Sequence, residues 1–182
     1  MTHTTALARH LLAAATALAM TTGAASAQGT AASHGTARFS AADRTFTMKT
    51  AMANNYELVS AKLALEMATA AEHKTYAQHI VDDHTKVGAQ LKAAVAEAAP
   101  SVVLPSSMDA KGTARISALR SAGSRFDAVY TQQMIDSHQE IHAMFQAYLD
   151  RKRANPGVKA VIAGAQPTVV MHLNAAKKLP TR

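Results

Sequence analysis

Four ionisable side chains occupy apolar positions in segments whose residues repeat with the period of an α-helix. They are Glu57, His84, His138 and His172. Burying such a group costs several kcal/mol unless it is paired or binds a metal. Neutral imidazole is a common ligand of zinc, copper and iron, and a carboxylate can complete a mixed site. The four residues are therefore candidate metal ligands.

Residues close to these four on the chain are candidates for supporting roles. His142 follows His138 by one helical turn and is an adjacent candidate ligand. Asp83 and Asp136 are expected to orient the imidazoles by accepting hydrogen bonds from their ring N–H groups. Three further histidines are expected to be leader or surface residues without a role: His34, His73 and His79.

Two hypotheses account for an inner layer of histidine and glutamate. In the first, the layer binds one divalent metal ion, with zinc or copper as the expected ion. In the second, no metal is bound and the side chains form a polar network that fixes the register of the helices. The spacing of the residues along the helices does not decide between the two.

The elements that position these side chains are predicted to be helices, because apolar residues recur with helical periodicity and no alternating strand pattern is present. The predicted helices cover residues 42–68, 71–97, 109–120, 125–153 and 158–178. Thr69 and Ser124 are expected to cap the second and fourth of them. Four of the five are long and of comparable length, and such helices pack best side by side. We therefore predict an all-α four-helix bundle with a short extra helix in its long connection.

Two helices carry features that bear on their orientation. On the first, Asn55, Lys62 and Glu66 form the most polar strip, which is predicted to face solvent. Pro167 lies within the last helix, where it removes one backbone hydrogen bond. The apolar spacing continues in phase across Pro167, which favours one kinked helix over a helix that begins at the proline.

The first 27 residues have the pattern of a cleavable secretory signal peptide. Arg9 precedes a short apolar run, and Ala25-Ser26-Ala27 supplies a small-residue cleavage site before Gln28. Residues 28–41 are small and polar and are predicted to be a flexible leader, followed by the bundle domain over residues 42–180. The mature protein is therefore expected in the periplasm or outside the cell, without integral membrane insertion after cleavage.

Composition and charge exclude several function classes. The chain has 182 residues and no cysteine, which excludes disulfides, thiolate metal sites and a thiol nucleophile. Its net charge is +7, but no nucleic-acid-binding motif accompanies that charge, so we expect no nucleic-acid partner and only weak contact with anionic envelope surfaces. No serine-nucleophile motif is present, which makes an enzyme the less favoured class. The oligomeric state does not follow from the sequence.

Several motifs occur in the order and spacing of the DUF4142 family over residues 42–179. They are Asn55-Tyr56-Glu57-Leu58, Val81-Asp82-Asp83-His84-Thr85, Phe126-Asp127 followed by Tyr130, and Pro167-Thr168 followed by His172. The chain thus resembles this family of exported bacterial proteins, and the resemblance implies a ferritin-like helical bundle. The family's recurring Glu and His positions correspond to the four inner residues named above. Gln166 departs from the leucine that is usual in the family before the proline.

The type of metal site can be narrowed further. Di-iron sites in ferritin-like bundles use Glu-x-x-His motifs on two helices, and no such motif occurs here. An inner layer rich in histidine and poor in carboxylate fits one zinc or copper ion better than two irons. The sequence thus predicts an exported helical bundle with a metal-binding His/Glu cluster. The alternative is a non-catalytic envelope interaction or stress-related module whose inner histidines are structural.

Overall fold

The first helix begins at Ala41 because Ser40 and Asp43 cap it reciprocally. The Asp43 amide donates to Ser40 Oγ at 3.1 Å, and the Ser40 amide donates to Asp43 Oδ2 at 2.8 Å. This pair satisfies backbone donors that a helix start otherwise leaves without partners. The Asp43 carboxylate also accepts a hydrogen bond of 2.8 Å from the Tyr148 hydroxyl, which joins the start of this helix to a distant part of the chain.

The structure is a computed structural model that describes residues 38–180. Its helices are α1 (Ala41–Met67), α2 (Ala71–Ala98), α3 (Ala110–Arg120), α4 (Phe126–Leu149) and α5 (Pro156–Ala176). A 3₁₀ turn, Gly123–Arg125, precedes α4. The described residues contain no strand, so the predicted all-α class is confirmed. The predicted signal peptide and most of the predicted leader lie outside the described residues.

The four long helices form a bundle in which each packs against two others. Helix α1 packs against α2 and α4, and α5 packs against the same two helices, so α2 and α4 lie diagonally opposite. The long segment between α2 and α4 crosses from one side of the bundle to the other and contains α3, which packs on α1 and α4. One long crossover is the connection found in ferritin-like bundles. The predicted four-helix bundle with an extra helix in the long connection is confirmed.

Asn55 does not lie on a solvent strip, contrary to the sequence prediction. Its side-chain amide donates hydrogen bonds to the carbonyl oxygens of Pro105 and Ser107, at 2.9 and 3.0 Å. The crossover covers this part of α1 and uses the amide as an anchor. Helical periodicity alone could not show this, because it does not reveal which polar strip a later loop will cover.

The predicted caps of α2 and α4 are both wrong. Asp127, near the start of α4, accepts hydrogen bonds from the amides of Thr69 and Ala70 and from the Thr69 hydroxyl. The start of α2 is therefore capped by a carboxylate from another helix rather than by Thr69 itself. Ser124 lies in the 3₁₀ turn, and α4 begins at Phe126 with no side-chain cap.

A polar layer separates two apolar clusters within the bundle. One cluster includes Ile80 and Met134, and the other includes Leu91, Ile141 and Val169. On α2 and α4, the inner histidine lies between a residue of the first cluster and a residue of the second. Because the two clusters meet along every long helix, the polar residues between them lie at a common depth.

Helix α5 runs without interruption through Pro167, as the continuous apolar spacing predicted. Its buried stripe extends from Val158 through Ile162 and Val169 to Ala176 on both sides of the proline. No helix between residues 38 and 180 is both long and apolar enough to span a bilayer.

Candidate metal centre

Three histidines from three helices converge in the polar layer. His84 of α2, His138 of α4 and His172 of α5 are buried, with ring centroids 5.4 to 5.8 Å apart. One nitrogen of each ring lies within 4.8 Å of a nitrogen of each of the others. Imidazoles bound to one tetrahedral ion at about 2.0 Å place their nitrogens about 3.3 Å apart. The nitrogens lie within 4.8 Å of one another in the described structure, so metal binding requires the rings to move closer together.

Each of these rings has one nitrogen engaged by a hydrogen-bond acceptor. His172 Nε2 donates to Asp83 Oδ2 at 2.9 Å, and His138 Nδ1 donates to the Met134 carbonyl at 2.9 Å. His84 Nδ1 donates to Asn54 Oδ1 at 3.1 Å. Because all three partners accept, the proton resides on the engaged nitrogen and the lone pair on the other.

The nitrogens left over are the ones available to a ligand. His138 Nε2 and His172 Nδ1 are buried and have no hydrogen-bond partner. Buried polar atoms are normally satisfied, so two such atoms in one layer require an explanation. Metal-ligating histidines have this arrangement, in which an outer acceptor holds one ring nitrogen and the metal takes the other.

Burial keeps the three rings neutral. It lowers the pKa of His138 to about 4, partly opposed by the hydrogen bond to the Met134 carbonyl. Burial and the neighbouring His138 lower the pKa of His172 to about 4, and Asp83 opposes this shift. The pKa of His84 lies well below its usual range, because of burial first and then of the other two histidines. Neutral imidazoles present lone pairs to a metal without competition from protons at neutral pH.

Glu57 is buried beside this cluster but behind one of its rings. Its Oε1 atom lies 3.8 Å from His138 Nδ1, the nitrogen that faces the Met134 carbonyl. Burial raises the pKa of Glu57 to about 8, and the Ser137 hydroxyl partly opposes the shift. Neither carboxyl oxygen has a partner in good hydrogen-bond geometry. Glu57 therefore lies beside the engaged nitrogen of His138 and not among the three free nitrogens.

Of the other predicted residues, the structure brings only Asp83 to the cluster. His142 is half-buried, and its Nδ1 lies 2.9 Å from the Gln166 amide nitrogen. Asp136 accepts a hydrogen bond from Gln132 on the bundle surface. Neither residue contacts the three imidazoles.

His73 is fully buried, so its prediction as a leader or surface residue is wrong. Its Nε2 lies 2.8 Å from the Thr131 hydroxyl of α4. His73 comes one helical turn before Tyr76 and Ala77, which are also buried, and this spacing was a signal that it faces inward.

Two supporting groups were not predicted. Asn54 lies on a buried stripe of α1 with Thr50, Glu57 and Ala61, which the spacing of three and four residues could have indicated. The Met134 carbonyl could not have been identified, because every helical histidine has a carbonyl four residues before it and only the rotamer decides the contact.

Gly88 creates the space that Asn54 occupies. A Cβ atom at residue 88 would lie 2.8 Å from Asn54 Nδ2, closer than such atoms approach. The absence of a side chain on α2 thus lets the Asn54 amide reach across to His84. Gly88 therefore affects the site through Asn54, and the atoms that a Cβ at residue 88 would meet belong to Asn54 and not to the imidazoles.

Comparisons with known proteins agree with the motif order found in the sequence. The model of the family described as "Domain of unknown function (DUF4142)" matches residues 25–179, which confirms the resemblance. A solved structure described as "CopM in the Cu(II)-bound form" has a TM-score of 0.63 and 19% sequence identity, covering 75% of this chain and 93% of that chain. At this identity the likeness shows the fold alone. No curated protein matches significantly.

Proposed function

We propose that this chain, which belongs to the DUF4142 family, binds one divalent transition-metal ion in the middle of its bundle. The ligands are His84 Nε2, His138 Nε2 and His172 Nδ1. Asn54, the Met134 carbonyl and Asp83 hold the opposite nitrogens of the same rings. The proposed site thus has three neutral nitrogen donors, each oriented by an acceptor from the protein.

The observation that carries this proposal is the pair of buried nitrogens without partners. In a structural network we would expect hydrogen-bond partners for His138 Nε2 and His172 Nδ1, because an unmade hydrogen bond of a buried polar group costs about 1–3 kcal/mol. Both nitrogens belong to a group of three histidines whose ligand atoms lie within 4.8 Å of one another. A metal ion satisfies all three at once.

Copper is the ion that we favour, with zinc as the second candidate. Imidazole donors suit both ions, and Cu²⁺ binds such sites more strongly than its neighbours in the first transition series. The structural neighbour CopM was solved with Cu(II), which supports the same choice here. The cluster has no carboxylate among its free donor atoms, and this disfavours magnesium, calcium or a di-iron centre.

We further propose that the protein acts after export, in the periplasm or outside the cell. The support is the pattern of residues 1–27, with its apolar run and small-residue cleavage site. An exported copper or zinc binder would sequester or carry the ion in that compartment.

To test the proposal, the metal-free mature chain is titrated with Cu²⁺ in a calorimeter, and its melting temperature is measured with and without the ion. We expect one ion per chain, and a rise in melting temperature of about 5–10 °C at one hundred times the dissociation constant. His84→Ala, His138→Ala and His172→Ala should each abolish uptake at that site. His142→Ala is the matched control and should keep it, since His142 pairs with Gln166.

The alternative function, a module with structural inner histidines, predicts a different result. In that case neither Cu²⁺ nor Zn²⁺ moves the melting temperature of the wild type. The same three histidine substitutions then reduce stability without any effect of added metal or chelator. That pattern would rule out the metal proposal.

A further inference from the structure

A small cavity adjoins the three-histidine cluster on one side. Its volume is about 30 Å³, and His84 and His172 form part of its wall. Most of the remaining wall is apolar: Val87, Ile141, Met144, Phe145, Ala165 and Val169. A space of this size holds one water molecule or a ligand of two or three atoms.

No other described histidine, aspartate or glutamate has a donor atom close enough to join the three free nitrogens. Glu57 lies on the far side of His138, next to the nitrogen that faces the Met134 carbonyl. Asp83 is engaged by the N–H of His172. The histidine and carboxylate donors among residues 38–180 thus supply three ligands, one fewer than a closed tetrahedral site requires.

We propose that the bound ion keeps one exchangeable coordination position, which opens toward this cavity and takes water or a small singly charged anion. This inference rests on the proposed metal function. Most of the cavity wall is apolar, and Thr50, Asn54, Asp83 and Thr168 are its polar residues besides the histidines. We expect the ion to hold a molecule in the cavity more strongly than these side chains do. The Asp83 carboxylate at the cavity edge disfavours anions of higher charge. The site is thus one that exchanges ligands, in contrast to a closed structural site.

A groove on the bundle surface gives ligands a path between the site and solvent. A groove of about 540 Å³ lies between α1, α2 and the crossover, and His84 forms part of its lining. Leu58, Thr85 and Lys92 line the same groove. His84 therefore borders both the cavity and an opening toward the bundle surface.

Azide is a suitable probe, because it is small, singly charged and gives a charge-transfer absorption when it binds Cu²⁺. The mature chain is loaded with one equivalent of Cu²⁺ and titrated with sodium azide while the visible spectrum is recorded. We expect a saturable new band, formed as azide replaces bound water. Ala165→Leu fills the cavity and should weaken azide binding at least about tenfold while copper stoichiometry stays at one.

The matched control is Ala163→Leu, an exposed position on the same helix, which should bind azide as the wild type does. If Ala165→Leu does not fold, Val87→Leu adds volume from the neighbouring helix α2 and serves the same purpose. A copper-loaded wild type whose spectrum azide leaves unchanged would overturn this inference alone. Equal azide affinity in the wild type and the cavity-filling variant would also overturn it. Absence of copper uptake would overturn the proposed function, and this inference with it.

Discussion

The buried carboxyl of Glu57 makes stability depend on pH, and Glu57→Gln removes that dependence. Burial raises the pKa of Glu57 from 4.5 to about 8, so the folded state favours the protonated acid. Between these two pH values the unfolded chain releases a proton that the folded chain keeps, and the wild type loses stability as pH rises. At 1.36 kcal/mol per pH unit, the loss approaches about 5 kcal/mol above pH 8 as an upper limit.

The three buried histidines change the free energy of unfolding with pH in the opposite direction. Their pKa values fall in the folded state, to about 4 for His138 and His172, so the unfolded chain binds more protons between that value and about 6.5. Their contribution is complete above about pH 6.5 and is lost as pH falls toward 4. The metal-free wild type should therefore be most stable near pH 6.5.

Melting curves of wild type and Glu57→Gln between pH 5 and 9, recorded with chelator, measure this effect. The glutamine variant should lack the decline above pH 6.5, and its melting temperature at pH 9 should exceed that of the wild type by about 10 °C. Glu66→Gln, at an exposed position on the same helix, should follow the wild type at every pH. Parallel curves for wild type and Glu57→Gln would show that burial does not raise the pKa of Glu57, because the carboxyl would then ionise without cost in the folded state.

Three further predictions concern Gly88, Asp127 and the predicted signal peptide. Gly88→Ala should weaken copper binding about 10- to 100-fold by displacing Asn54. The same substitution should stabilise helix α2 by up to about 1 kcal/mol, because alanine has a higher helix propensity than glycine. Gly164→Ala is the control, because a Cβ atom at residue 164 would have no neighbour within 4 Å. It should increase stability in melting curves as Gly88→Ala does, while its copper affinity in calorimetry stays that of the wild type. Asp127→Ala should reduce the free energy of unfolding in urea by about 1–3 kcal/mol, because three donors at the start of α2 lose their acceptor. The intact mass of the exported protein should correspond to an N-terminus at Gln28, and a mass that includes Met1 would contradict cleavage.

The sequence was most informative where apolar residues repeat regularly. The buried stripes of α4 and α5, including His138 and His172, follow from helical spacing because large apolar residues on both sides mark the inner face. The buried stripe of α1 is made of small and polar residues, such as Thr50, Asn54 and Ser60. Hydrophobic periodicity is weak on such a helix, so apolar spacing did not identify Asn54. Only its spacing of four and three residues from Thr50 and Glu57 indicates that it is buried.

Contacts between distant segments were beyond the reach of the sequence. The capping of α2 by Asp127 joins residues far apart on the chain, and neither local motif contains the partner. The sequence also could not show that His142 lies apart from the three-histidine cluster. Residues four apart share a helix face, but the ring of His142 lies against Gln166 instead. The assignment of a free nitrogen to each imidazole depends on rotamers and acceptors that only the folded structure provides.

X-ray absorption at the copper edge, on the mature chain loaded with one equivalent of Cu²⁺, tests the central claim most directly. We expect three imidazole nitrogens at about 2.0 Å from the copper, with one further light ligand from solvent. His142→Ala should leave this spectrum unchanged, and His138→Ala should remove the three-imidazole signature. A first shell of oxygen or sulfur ligands without imidazole, or a spectrum that His138→Ala does not alter, would contradict it.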